Sequence, residues 1–350
     1  MIPDSVVPRE APVLVTGSNG FIGAKVVEIL LEYGFSDVRC FVRPSSKLDR
    51  LHAALAKFPN GAGARIVAGD LLSRDDCRKA SDGVSVIFHL AAGMDKSFAG
   101  AFMNSALATR NLIEAFLEVG QPQRFVNVSS FAVYSNLQLA RGALLDESCP
   151  LEDAPQERAD AYCFGKLKQD EIVMRYGRER GLRYVILRPG AVFGPGKKSI
   201  TGRVGIDTFG FFVHLGGSNI LPLTYVDNCA EAIVLAGLKP GVDAEIFNVV
   251  DDELLSSAEF LRAYKRGVGS FFTLPLPYRA TELLCGAWEK YANRTKGQLP
   301  ATFNRRRCAA EWKGNRFSNA KLHSRLGWTP RVNMKQAIAA YVDQFEARAV

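Results

Sequence analysis

Ser130 closes an apolar run, VNVSSFAVY, and Tyr162 and Lys166 stand four residues apart in YCFGK, at the head of a stretch with helical patterning. Residues four apart share one face of a helix, so the Lys166 ammonium can favour phenolate and lower the Tyr162 pKa while reaching ribose hydroxyls. Tyr162 can then exchange a proton with a substrate oxygen, to which the Ser130 hydroxyl donates as charge develops. That set suits a hydride passing to or from a carbinol carbon. Tyr and Lys recur at this spacing by chance in ordinary helices, so the reading depends on where the pair sits.

It sits downstream of a second motif. The apolar run PVLV leads into TGSNGFIG, residues Thr16, Gly17, Ser18, Asn19, Gly20, Phe21, Ile22 and Gly23, and a helix is expected to start from Phe21. Glycines at this spacing let the backbone turn tightly and approach a pyrophosphate, whose charge is met by the N–H groups of the helix N-terminus. A dinucleotide site is the expectation. The next apolar run, VRCFV, ends in Arg43 with Ser45, Ser46 and Lys47 behind it, and no carboxylate is there to bind a ribose 2′-hydroxyl. Arg43 suits a 2′-phosphate, so NADP(H) is expected over NAD(H), although an arginine solvated at a strand end looks the same in sequence. Asp70 and Leu71 end the third run, within reach of an adenine amine. Ala91 and Ala92 follow the fourth, where small residues let the chain pass close to a cofactor; a short loop needing small side chains explains them equally well.

The elements that would position these residues are legible to about residue 190. Strand-like runs PVLVTG, VRCFV, ARIVAGD, VSVIFHLAA, RFVNVSS and RYVILRP alternate with helical stretches, including ones near 47–57 and 97–118 and one carrying Tyr162 to Arg180. That alternation predicts an α/β fold, a doubly wound parallel sheet. After Pro189 the rhythm breaks into the Gly-rich AVFGPGKKSITGRVG and shorter pieces. Two domains are expected: residues 1–190 for dinucleotide and chemistry, and 191–350 as a smaller substrate-binding lobe, with about 223–250 returning to the sheet. The stretch from Tyr278 to about Ala292 carries apolar residues on more than one side, which favours a buried or partner-facing helix over a monotopic membrane contact.

Composition narrows the class further. The chain of 350 residues is 47% apolar, enough for one substantial core and a smaller one. The first twelve residues do not read as a secretory signal and no run reaches the length of a membrane span, so a cytoplasmic protein without membrane contact is expected. Seven cysteines, at 40, 77, 149, 163, 229, 285 and 308, form no C-x-x-C pair, which points to reduced thiols and no metal site. The net charge of +8 fits handling of phosphate-bearing small molecules; outside Arg305, Arg306, Arg307, Lys313 and Arg316 the basic residues are scattered and no nucleic-acid motif accompanies them.

Together TGSNGFIG, Ser130, YCFGK, RPGAVFGPG (188–196), TYVDN (224–228) and LGWTP (326–330) resemble the extended short-chain dehydrogenase/reductase family, the NAD-dependent epimerases and dehydratases, over nearly the whole chain. The resemblance implies a Rossmann sheet, Pro189 beside the cofactor, and Asn104 ordering an active-site water; an asparagine bonded within its own helix is the plainer alternative. Dehydratases of this family follow the catalytic hydroxyl residue with Asp-Glu, whereas Ser130 is followed by Phe131 and Ala132, so dehydration is not expected. RPGAVFGPG, Arg43 and TYVDN look like the 3β-hydroxysteroid dehydrogenase branch, which implies oxidation or reduction of one carbon on a bulky substrate. A sugar-nucleotide epimerase with tightly held NAD is the alternative enzyme, using Arg305 to Arg307 for a diphosphate, and a non-catalytic dinucleotide sensor is a third reading. The branch resemblance implies a pocket walled by residues 192–223, with Phe193, Phe209, Phe211 and Phe212; Phe193 and Phe131 are the expected substrate contacts, though any of these rings could simply be core. A homodimer packed through the helix near 100–118 and the Tyr162 helix is also implied.

Overall fold

The computed structural model describes residues 4–58, 63–208, 210–295 and 298–346. Seven strands make the central sheet: β1 (Val13–Thr16), β2 (Val38–Val42), β3 (Ala64–Ala68), β4 (Val86–His89), β5 (Arg124–Val128), β6 (Tyr184–Pro189) and β7 (Glu245–Val249). Their order is β7-β6-β5-β4-β1-β2-β3, and every pairing is parallel. The winding direction reverses between β1 and β4, which opens a crevice at the carboxyl ends of those two strands. Both are buried at every position, as uninterrupted apolar strands covered by helices on both faces should be.

Helices α1 (Gly23–Glu32), α2 (Asp49–Leu55), α3 (Arg74–Ser81), α4 (Ala108–Val119), α5 (Ala161–Arg180) and α6 (Val226–Leu238) supply that cover. α1 packs against α6 on one face, and α3, α4 and α5 pack side by side on the other, each face closing its own apolar core. Asp160 caps α5 by accepting from the Cys163 N–H at 2.9 Å, and Gly181 ends it at φ 67°, so the helix that carries Tyr162 is fixed at both ends. The helical stretch near 97–118 is less regular than its periodicity predicts. Ser97 caps a short turn, Phe98–Ala101, which runs through a π-helical segment, Phe102–Leu107, before α4 begins.

The later part of the chain divides between this sheet and short elements beside it. β7 pairs with β6 at the sheet edge, while Ala191–Phe193 pairs with Leu223–Tyr225, and Phe211–His214 pairs with both Gly205–Thr208 and Thr273–Pro275. Four more helices follow: α7 (Ser257–Val268), α8 (Tyr278–Arg294), α9 (Arg305–Trp312) and α10 (Met334–Glu346). TYVDN and LGWTP interlock. Buried Trp328 donates to the Asn228 carbonyl at 3.1 Å, and the Asn228 side chain both accepts from and donates to the Val332 backbone. Among the described residues no helix is long and apolar enough to cross a membrane, no His/Cys/Asp/Glu cluster could hold a metal, and the seven cysteines are unpaired.

Candidate active site

The crevice at the end of β1 and β4 is built around the glycine turn. Gly17 takes φ +69°, a conformation that favours glycine, and a Cβ there would lie 3.0 Å from the Ala91 nitrogen. A Cβ on Gly23 would stand 2.1 Å from the Gly17 carbonyl oxygen, so the start of α1 can close on the turn only without a side chain. The first turn of α1 carries no acidic residue and its cap makes no side-chain hydrogen bond, which leaves helix N–H groups facing the crevice. These features fit a dinucleotide pyrophosphate.

Two cavities, about 420 and 480 Å3, meet here and share Gly17, Gly20, Leu90, Ala92 and Met94 as lining, so they form one elongated cleft. The first is lined by Asn19, Arg43, Ser46, Asp70, Leu71 and Ala91, the residues expected at an adenosine end. Arg43 is exposed at the carboxyl end of β2 and makes no ion pair among the described residues. Asp70 accepts from the Leu72 N–H at 2.9 Å, which fixes one carboxylate oxygen. The second cavity is lined by Phe21, Ile22, Gly23, Ser130, Tyr162, Lys166 and Pro189. The structure therefore brings the proton-transfer set and the glycine turn to one cleft from three separate segments of sequence.

Within that set the geometry departs from simple expectation in one respect. Ser130 ends the β5 loop in an extended conformation and its Oγ accepts from the Ala132 N–H at 3.1 Å, so its own proton is free to point toward a substrate oxygen. Burial pushes the Tyr162 phenol pKa up, and the group that opposes it is the Ser130 hydroxyl. Lys166 is engaged by the backbone. Its ammonium donates to the Val128 carbonyl at 2.6 Å, and burial holds its pKa down at about 8, with Asp170 pulling the other way. Behind this set lies a buried polar network: Asp170 accepts from Asn127 Nδ2 and Ser129 Oγ, both at 2.9 Å, and from Arg188 Nη2 at 3.2 Å. Arg188 also lies over the Tyr134 ring, 4.9 Å from its centroid. The arginine of RPGAVFGPG is thus a support for the Ser129–Ser130 strand end.

Several expected residues stand elsewhere. Thr16 is buried behind the cleft, where its hydroxyl bonds the His89 ring at 2.8 Å and accepts from the Ala91 N–H at 3.3 Å; it positions the β4 loop and lines neither cavity. Asn104 lies in the π-helical segment and donates to Asp95 at 2.9 Å, lining the first cavity and not the Ser130–Tyr162 end. Phe193 is not a pocket wall: it is packed edge-on against Tyr225, Phe260 and Tyr341, because the strand Ala191–Phe193 turns it into the core. Phe131 is likewise buried, against Tyr134 and Phe317, since the turn after Ser130 points it away from the cleft. Phe212 is buried against Phe271, Phe211 packs on Phe272, and Phe209 lies outside the described residues. Arg306 is committed to Glu152, Asp153 and Glu157, and Arg305 and Arg307 line neither cavity.

Two cations that the motifs did not single out do line the cleft. Arg50, one residue into α2, lies over the Phe21 ring and donates to the Gly196 carbonyl, bridging the glycine turn to the loop after β6. Lys197, on that loop, donates to the Val192 carbonyl at 3.0 Å, and burial lowers its pKa. Arg50 looks like any surface helix cation in sequence, and only the fold brings it 146 residues along the chain to Gly196.

The model of the NAD dependent epimerase/dehydratase family matches residues 13–249. The 3beta-hydroxysteroid-dehydrogenase/decarboxylase isoform 1 of Arabidopsis thaliana is 25% identical over 361 aligned residues, covering 95% of this chain and 79% of its own length. The 3-beta-hydroxysteroid dehydrogenase of Mycolicibacterium neoaurum is 29% identical, covering 95% of this chain and 92% of its own. The crystal structure of UDP-glucuronic acid 4-epimerase from Bacillus cereus in complex with NAD superposes with a TM-score of 0.71 at 20% identity, over 96% of this chain and 99% of its own.

Proposed function

The chain belongs to the NAD dependent epimerase/dehydratase family, the extended short-chain dehydrogenases/reductases, and we propose that it interconverts an alcohol and a ketone or aldehyde on a bulky substrate with NADP(H). The observation that carries this reading is the convergence of Ser130, Tyr162 and Lys166 on the cavity that the glycine turn also lines. The dinucleotide, when bound, supplies or accepts the hydride. The protein's own residues do the rest: the glycine turn and the α1 N-terminus hold phosphate, Lys166 meets the ribose, Ser130 donates to the substrate oxygen, and Tyr162 gives or takes its proton. Burial holds Tyr162 toward its neutral form, which suits it to act as the acid when a carbonyl is reduced.

Arg43 supports NADP(H): it lines the first cavity together with Ser46, the turn after β2 from residue 43 to 48 carries no carboxylate, and NAD(H) remains the second cofactor of the reading. A bulky apolar substrate is supported by the hydroxysteroid relatives and by Met94, Pro189, Ala191 and Val192 around the Tyr162 end. Lys197 at that same end favours one second reading, a sugar-nucleotide epimerase with tightly bound NAD, since a cation there could meet a diphosphate. We further propose a cytoplasmic homodimer; the unpaired cysteines fit a reducing compartment, and Phe102 and Met103 are exposed at the head of the helix that would pair. Gel filtration at low micromolar concentration showing only monomer overturns the dimer.

The deciding experiment is fluorescence titration of apo protein with NADPH and NADH, repeated with Arg43→Ala. Preference for NADPH that disappears in the variant, followed by turnover on a ketone panel, is the expected result. Co-purified NAD that does not exchange, with no net turnover, transfers the assignment to the epimerase.

A further inference from the structure

The helix α8 packs on the protein through Thr281, Cys285 and Ala292, with Cys285 in a small apolar cluster alongside Leu215, Cys308 and Trp312. Its opposite side is apolar and open. Leu283 is 70% exposed, Leu284 60%, Tyr291 57% and Trp288 38%, and with exposed Ala287 they follow the i, i+1, i+4, i+5, i+8 pattern of one helical face. Leu274 in the strand leading into the helix, and Phe272 just before that strand, are exposed as well. Two adjacent leucines left in water on a helix otherwise well seated are not needed for packing.

The charges along this helix are sorted. Arg279, Lys290 and Arg294 repeat in steps of four and seven from Leu283, so all three flank one edge of the apolar stripe; they are exposed and make no ion pair among the described residues. The acids lie one row further round from the stripe on the same side as those cations, where Glu282 faces the Tyr278 hydroxyl and Glu289 accepts from the Arg305 N–H. An apolar stripe with aromatic residues that carry a polar atom, edged by long cationic side chains, is the composition of a helix lying in the plane of a bilayer interface. An anionic lipid surface is the counterpart that three unpaired cations beside an apolar stripe fit.

We propose that α8 is a peripheral membrane-docking helix, which lays Leu283, Leu284, Trp288 and Tyr291 into the surface of an anionic bilayer without crossing it. The proposal does not depend on which reaction the cleft performs. The test is flotation of the full chain with vesicles of phosphatidylcholine alone and of phosphatidylcholine with phosphatidylglycerol, alongside tryptophan emission. Trp312 and Trp328 are buried at 4% and 0% exposure, so a blue shift on vesicle addition reports Trp288. Expected are binding to the anionic vesicles with that shift, a loss of roughly tenfold or more in Leu283→Asp/Leu284→Asp, and a loss of roughly fivefold per charge when Arg279, Lys290 and Arg294 are changed to Gln. Trp288→Phe should keep binding and remove the shift. No binding to either vesicle overturns the proposal, as does binding unaffected by the leucine changes. Self-association in sedimentation that the leucine changes abolish, with no vesicle binding, assigns the face to a second copy instead.

Discussion

At the scale of single residues the cleft works through opposed effects on two ionisable groups. Burial holds Tyr162 neutral and the Lys166 ammonium near the point of losing its proton, at about 8, while Asp170 keeps the lysine from falling further. Tyr162→Phe removes the proton that stabilises a developing alkoxide, and turnover should fall by roughly 10²- to 10⁴-fold with dinucleotide affinity kept. Unchanged turnover in that variant would remove Tyr162 from the chemistry. Lys166 makes a pH prediction with a definite sign. If its charged form binds the ribose, cofactor affinity measured by calorimetry should decline as pH rises through about 8, and the decline should vanish in Lys166→Met. The stability linkage runs the other way: between about 8 and 10.5 the unfolded chain binds the proton that the native lysine has lost, so relative to Lys166→Met native stability should rise across that window.

At the scale of elements, the sheet and the glycine turn were legible because they depend on local chemistry. Uninterrupted apolar runs between helical stretches call for a parallel sheet with helices on its faces, and Gly17 and Gly23 are needed where the strand turns straight into a helix against its own carbonyl. Gly23→Ala should therefore weaken cofactor binding by at least about tenfold, with the Cβ forced against Gly17; calorimetry giving an unchanged Kd would show that the turn relaxes. Phe193 and Phe131 were illegible for the opposite reason. A phenylalanine reads the same on either face of a short strand or turn, and one residue of register decides between core and cleft. Asn104 was misplaced because periodicity does not reveal a π-helical turn, which shifts the residues after it around the helix axis. The role of Arg188 was hidden too, since its partner Asp170 lies on another element. Asp170→Ala leaves Arg188 buried without its carboxylate, and denaturant unfolding should show a loss of ~3–5 kcal/mol. Because Ser129 loses its acceptor as well, turnover should drop in that variant even where it remains folded.

At the scale of the molecule, distant parts of the chain meet over the cleft. Gly196, on the loop after β6, is held from one side by Arg50 near the start of α2 and from the other by Gln344 in α10, which accepts from the Gly196 N–H at 3.0 Å. The Trp328–Asn228 lock anchors the segment leading to α10, so this loop is stationed by the whole fold and not by its own sequence. The cofactor must pass beneath or displace the Arg50 bridge, since Arg50 and Gly196 line the cavity with Phe21. A guanidinium already placed over the glycine turn becomes a phosphate ligand at little ordering cost. Arg50 is exposed, so Arg50→Ala should leave the unfolding free energy of the apo protein within about 0.5 kcal/mol of the parent. Cofactor at 100 times its Kd stabilises the parent by roughly 2.7 kcal/mol, and if Arg50 binds phosphate with the ~1.5–3 kcal/mol of a charge-assisted hydrogen bond, the same cofactor concentration should stabilise the variant far less. Thermal unfolding with and without NADPH separates the two cases: equal cofactor-induced shifts in parent and variant would make the bridge a structural tie only, whereas a diminished shift with an unchanged apo Tm assigns Arg50 to the cofactor.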